Sequence, residues 1–138
     1  MTARHAEVTV RSRRSEETVD LTAQVQAAVE RSGLREGVCV VAVAHTTAGV
    51  FVNENADPEV QRDLLHALGS VITDDMGFRH AEGNSPAHVK AILTGSSVTI
   101  PVRDGRLALG RWQGVYLADF DGPRERRATV TVIGDLAD

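Results

Sequence analysis

The chain has 138 residues, 42% hydrophobic and 25% charged, with a formal net charge of −4. That length suits one domain spanning residues 1–138, able to bury roughly two-thirds of its unfolded surface without a disulfide or a structural metal. The negative balance argues against an electrostatic grip on nucleic acid, and a single cysteine excludes an internal disulfide.

Glu7-Val-Thr-Val-Arg11 alternates with period two and predicts a strand. Residues 21–32 carry Leu21, Val25, Ala28 and Val29 on one helical face. Asp20 is placed to cap that helix, and Gly33 to end it in the left-handed conformation, with Leu34 making the apolar contact beyond the cap. Gly37 to Ala44 is almost wholly apolar and β-branched, a buried strand in which Cys39 reads as a small core residue. His45-Thr-Thr-Ala-Gly49 breaks the strand, and Val50-Phe-Val52 resumes extended.

Asp57 as cap and Pro58 in the first helical position open a second helix. Its expected buried stripe is Val60, Leu64, Ala67 and Leu68, with Asp63 on the border. Ser85-Pro86 repeats the opening for a short third helix through about Ile92. Four strands follow: Ser97 to Val102, Arg106 to Leu109, Gly114 to Phe120 and Ala128 to Ile133, with Asp104-Gly105 as a hairpin turn. Arg124, Arg126 and Arg127 read as a solvated basic loop, Trp112 as a core residue, and His5 and His66 as surface residues. This order argues an α+β domain with a largely antiparallel sheet. The N-terminus has no apolar run of signal-peptide length and no segment approaches a membrane span. A cytoplasmic protein without a membrane partner is therefore expected.

The chemistry concentrates around three histidines. His45 stands at the end of a buried strand, and His80 and His88 flank Glu82, Gly83, Asn84 and Ser85. Three imidazoles from separate elements suit one divalent metal, zinc being the usual choice, with Glu82 beside them as a proton carrier. The same segment also reads as an anion seat. Ser85 caps a helix whose first-turn N–H groups can donate to a phosphate, Gly83 permits close approach, and His88 adds a donor. A plain loop and cap is the third reading, and all three stay open. Thr46 and Asn55 follow strands and are placed to line such a cleft. Asp63 either orients a histidine or is an exposed acid beside Arg62, and Gln113 is placed to present its amide to a ligand.

His45-Thr-Thr-Ala-Gly49, Asn53-Glu-Asn55, Glu82-Gly-Asn-Ser-Pro-Ala-His88 and the run from Ser97-Val-Thr-Ile-Pro-Val102 to Trp112-Gln113 resemble the YjbQ-like family over nearly the whole chain. Its members are often described as secondary thiamine-phosphate synthases. Gly105 to Gln113 is the most specific block, and Arg111 stands where the family usually has threonine. The resemblance implies an antiparallel β-sandwich partly covered by about three helices, a homotrimer, and a polar cleft falling on His45, His80 and His88. It also implies condensation of a pyrimidine diphosphate with a thiazole phosphate. The expected site has His45, Asp63, His80, Glu82 and His88 as catalytic groups. Thr46, Asn55, Gly83, Asn84, Ser85 and Gln113 would contact a small phosphorylated ligand. A metal-dependent hydrolase with Glu82 as general base and a non-catalytic binder of a phosphorylated metabolite are the alternatives.

Overall fold

In the last strand, β8 (Glu125–Leu136), the side chains of Arg126, Ala128, Val130 and Val132 are buried while Arg127 and Thr129 are exposed. This is the period-two pattern of a sheet with one face turned inward. The computed structural model describes residues 1–136 and pairs β8 with β1 (Thr2–Arg11) on one side and β3 (Leu34–Val43) on the other. β5 (Ser97–Arg103) and β6 (Arg106–Leu107) extend this sheet past β3, giving the order β1-β8-β3-β5-β6. A second sheet has β7 (Gln113–Asp119) between β2 (Glu17–Asp20) and β4 (Ala48–Glu54). Every pairing is antiparallel, so the α+β sandwich expected from the sequence and the resemblance is what forms.

The core lies between the sheets. Cys39, Val41, Val43, Val130 and Val132 from the five-stranded sheet meet Val50, Val115 and Leu117 from the other. Helix α1 (Thr22–Ser32) completes this layer with Val25, Ala28 and Val29, beside Leu21. Gly33 ends α1 at φ 78°, as a glycine cap should. Asp20 closes β2, and its carboxylate accepts the Thr22 N–H at 2.9 Å, although Leu21 is the residue in the cap position. Asp104 and Gly105 both have positive φ, 52° and 75°, the geometry of the tight hairpin turn between β5 and β6.

Two helices cover the other face of the small sheet. α3 (Ser85–Thr94) places Ala87 and Ala91 against Ala118 and Phe120, with Phe51, Leu65 and Leu68 alongside. The C-terminal end of α3 lies so close to β4 that a Cβ on Gly49 would sit 2.0 Å from Thr94 Oγ1. α2 (Pro58–Val71) starts as its sequence predicts, with the Asp57 carboxylate accepting the Glu59 N–H at 2.9 Å. Its stripe is less covered than expected: Gln61 is its one buried residue, Val60, Leu64 and Leu68 are half-buried, and Ala67 is exposed. Trp112 is also no core residue. It is 55% exposed, with the Arg111 guanidinium 4.8 Å over its ring, which gives arginine a cation–π role at that position. No helix among the described residues is long and apolar enough to cross a membrane.

Candidate functional site

Val43 pairs with Ala128 at the end of the β3–β8 ladder. The chain then leaves the large sheet, crosses as residues 44–47, and enters the small sheet at Ala48. His45 sits on this crossing, half-buried, and its Nε2 accepts the backbone N–H of Arg127 at 3.0 Å. A neutral imidazole that accepts at Nε2 carries its proton on Nδ1, so the ring has one tautomer and one remaining polar atom. Burial lowers the pKa of His45, and the positive charges of Arg126, Arg124 and Arg127 lower it further against the opposite pull of Asp119. The neutral ring is therefore the favoured form.

A buried network stands behind the crossing. Arg126 donates from Nη2 to Asp119 Oδ1 at 2.7 Å and from Nε to Asp119 Oδ2 at 3.0 Å, a two-pronged ion pair. Its Nη2 also reaches Thr47 Oγ1 at 2.8 Å. Ser12 Oγ donates to Asp119 Oδ2 at 2.6 Å and accepts the Arg124 N–H at 2.9 Å. The side chains of Arg126 and Asp119 are 3% and 0% exposed. The basic run is therefore not one solvated loop, because its middle member lies inside the protein. From the sequence Asp119 and Ser12 have no assigned role, and Arg126 and Thr47 enter only within the basic run and the His45-Thr-Thr-Ala-Gly49 motif. One signal was present: Arg126 shares the inward parity of Ala128, Val130 and Val132, and Asp119 that of Val115 and Leu117.

Across from the crossing lies the flank of α3. His45, Thr46 and Ala48 form one wall of a cleft of about 460 Å³, and His88, Ala91, Ile92, Gly95 and Ser96 form the other. That volume is ample for a small ligand. His80 joins through His88, their ring centroids being 5.4 Å apart with the rings nearly perpendicular. Two of the three expected imidazoles thus line one cleft, and the third packs on its rim. Among the described residues no three His, Cys, Asp or Glu side chains form a group able to hold a metal ion. The three-imidazole zinc centre is not assembled by one chain, since Nε2 of His45 is already bound to a main-chain amide.

The expected anion seat at the start of α3 is also reduced. Asn84, not Ser85, is the cap residue, and its carbonyl accepts from Ala87 at 3.0 Å and from His88 at 3.4 Å. Pro86 has no N–H, so Ser85 is left with the one free donor of that turn. Asn84 Nδ2 instead donates to Asp121 Oδ2 at 2.9 Å, tying the helix start to the β7–β8 loop, while its buried Oδ1 has no partner. Glu82 and Gly83 are exposed in the preceding turn, Gly83 at φ 75°.

The remaining expected residues lie elsewhere. The crossing leads into the first residue of β4, whereas Asn55 follows its last, and at about 3.3 Å per strand residue the two ends are roughly 20 Å apart. The Asn55 N–H bonds the Trp112 carbonyl at 2.9 Å, and Gln113 Oε1 accepts the Gly110 N–H at 2.7 Å. Both residues belong to that far end, not to the histidine cleft. Asp63 is exposed on α2 and has no hydrogen bond to a histidine.

An antiparallel sandwich with a histidine-lined cleft where the chain changes sheets defines a small α+β protein whose candidate site lies at a loop between two strands. Residues 6–135 match the model of the UPF0047 protein YjbQ-like family, and the chain belongs to that family. It is 45% identical to a UPF0047 protein of Methanocaldococcus jannaschii over 91% of each chain. To the UPF0047 protein YugU of Bacillus subtilis it is 39% identical, over 91% of this chain and 96% of that one. A crystal structure of a Sulfolobus solfataricus protein superposes with a TM-score of 0.93 at 34% identity, covering 97% of this chain and 99% of that one. That protein is described as being of unknown function, and the bacterial and archaeal relatives carry only the family designation. The expectation of thiamine-phosphate synthesis is corrected accordingly: nothing in these relatives or in the cleft indicates that activity.

Proposed function

We propose that the cleft between the His45 crossing and α3 binds a small ligand bearing an oxyanion, such as a phosphorylated metabolite. The observation that carries this reading is the Arg127 N–H on His45 Nε2. It leaves Nδ1–H as the free donor of a neutral ring in a residue that lines the cleft. A neutral imidazole donor stabilises a ligand oxygen without the desolvation penalty of a buried cation. Arg124, Arg126 and Arg127 at the same end of the sandwich are each paired with a carboxylate, and among the described residues no carboxylate lines the cleft, so the neutral imidazole is the donor that faces the ligand. Ala48, Ala91 and Ile92 supply an apolar wall for the rest of the ligand.

Association of copies, and a threefold assembly in particular, belongs to the same reading. Ile92 on the cleft wall is 80% exposed and Leu93 beside it 58%, and apolar groups of that size favour burial against another chain. Light scattering on the eluted protein gives the oligomeric mass.

The ligand reading is tested by titrating ¹⁵N-labelled protein with inorganic phosphate and with a phosphorylated sugar, the uncharged sugar serving as control. Shifts confined to His45, His88 and their neighbours, and abolished in His45→Ala, are expected. Shifts that survive His45→Ala, or no shift at millimolar phosphate and sugar phosphate, would overturn it.

A further inference from the structure

We infer that the buried Asp119–Arg126 pair is the positioning device of His45. It holds the crossing in the one conformation in which Nε2 meets the Arg127 amide. The inference rests on the ligand reading only for the use to which the positioned ring is put.

The geometry is specific to the turn. One guanidinium grips Asp119 on β7 through two donors and grips Thr47, at the end of the crossing, at its hydroxyl (2.8 Å) and more loosely at its carbonyl (3.4 Å). The carbonyl of Thr47 accepts the Phe120 N–H at 3.1 Å as well, so the crossing is fastened to both sheets at one residue. The next residue along β8 supplies the N–H that His45 accepts. Two adjacent β8 residues therefore hold the crossing, Arg126 by its side chain at Thr47 and Arg127 by its backbone at His45. Ser12 fixes the pair in turn, donating to Asp119 while accepting from the Arg124 amide.

Stability alone gives no reason to keep charges there. A buried ion pair replaced by apolar residues of similar size commonly leaves a fold as stable or more so. What an apolar pair cannot do is hold Thr47 by its hydroxyl, and lysine cannot form the two-pronged contact with Asp119 while also reaching that hydroxyl. The requirement is directional, and the directed element is the turn that carries His45.

The test separates positioning from bulk stability. In the free wild-type protein, ring ¹⁵N shifts should report a single His45 tautomer protonated at Nδ1. In the double variant Asp119→Leu/Arg126→Met, thermal stability should return close to wild type, yet the single-tautomer signature should be lost and phosphate-induced shifts with it. Thr47→Val, which deletes the 2.8 Å hydroxyl acceptor and leaves only the 3.4 Å carbonyl contact, should show the same loss and serves if the double variant does not fold. Restoration of both stability and the single tautomer by the apolar pair would overturn the inference, as would an unchanged tautomer in Thr47→Val. A wild type that shows the single tautomer and binds no phosphate or sugar phosphate refutes the ligand reading and leaves the positioning intact.

Discussion

Asp119→Ala is the sharpest perturbation of this molecule. It leaves the Arg126 guanidinium, 3% exposed, without its counter-charge, strips the Asp121 N–H of its acceptor, and leaves the Ser12 hydroxyl only the Arg124 carbonyl at 3.1 Å. Breaking a buried pair from one side costs about 3–5 kcal/mol, because the surviving charge stays desolvated. Unfolding entropy near 2.1 cal/mol/K per residue gives about 0.3 kcal/mol/K for 138 residues, so Tm should fall by about 10–17 °C at pH 7. The assay is a calorimetric melt of four proteins: wild type, Asp119→Ala, Arg126→Met and the double variant Asp119→Leu/Arg126→Met. The double variant should lose far less than the two single losses combined. The pH dependence has a definite sign. Burial pushes the Asp119 carboxyl up, but hydrogen bonds from Arg126, Ser12 and the Asp121 amide, with the guanidinium charge, outweigh it and hold the pKa below the ordinary value. The stability contributed is present above the unfolded carboxyl's pKa of about 3.9 and is lost as pH falls through the folded value, so wild type and Asp119→Ala should converge below about pH 4. A loss under about 1 kcal/mol, the scale of an exposed ion pair, would refute the reasoning, and so would additive single losses.

His45 supplies a second pH signature. Its folded pKa is lowered, so the unfolded chain binds the proton first, and stability should decline as pH drops below about 6.5. His45→Gln should remove that part of the slope in urea midpoints measured between pH 5 and 8. Gly49→Ala should destabilise by about 1–3 kcal/mol in denaturant melts, because its Cβ meets Thr94 Oγ1 at 2.0 Å and the Gly95 carbonyl at 2.8 Å; wild-type stability would sink the close-approach argument. Burial pushes the Cys39 thiol up to about 11, so a thiol reagent at pH 8 should label it only in denaturant, and rapid labelling of the native protein would contradict its buried placement.

Much of the frame was legible because its signals are local. Gly33, Asp57-Pro58 and Asp104-Gly105 each dictate a backbone conformation within a few residues, and each does so here. β2 carries no such signal. Glu17–Asp20 is short and polar, and it becomes a strand only because β7 offers it a ladder. The α2 stripe read as buried because periodicity reports which residues share a face, not whether anything covers that face. At the site, the proximity of His80 and His88 follows from their nearness in the chain, and His88 meets the His45 crossing because α3 packs on β4. The spacing contained no sign that a main-chain amide occupies His45 Nε2. Asn55 and Gln113 were grouped with the histidines as polar residues at strand ends, but they lie at the opposite end of the same two strands. Arg126 shows the limit most plainly: strand parity turns it inward, but only the β7–β8 turn brings Asp119 to meet it.

The strand that completes this site follows every other described element in the chain. β8 lies between β1 and β3 in the large sheet, and it brings both the Arg126 side chain and the Arg127 amide. Until it is inserted, the first and third strands have no common neighbour, and the His45 turn has neither of its β8 anchors. A nascent chain halted before residue 125 would carry all five histidines, yet it would have no means of giving His45 a single proton arrangement. Competence at the cleft should therefore appear late and all at once, together with closure of the large sheet.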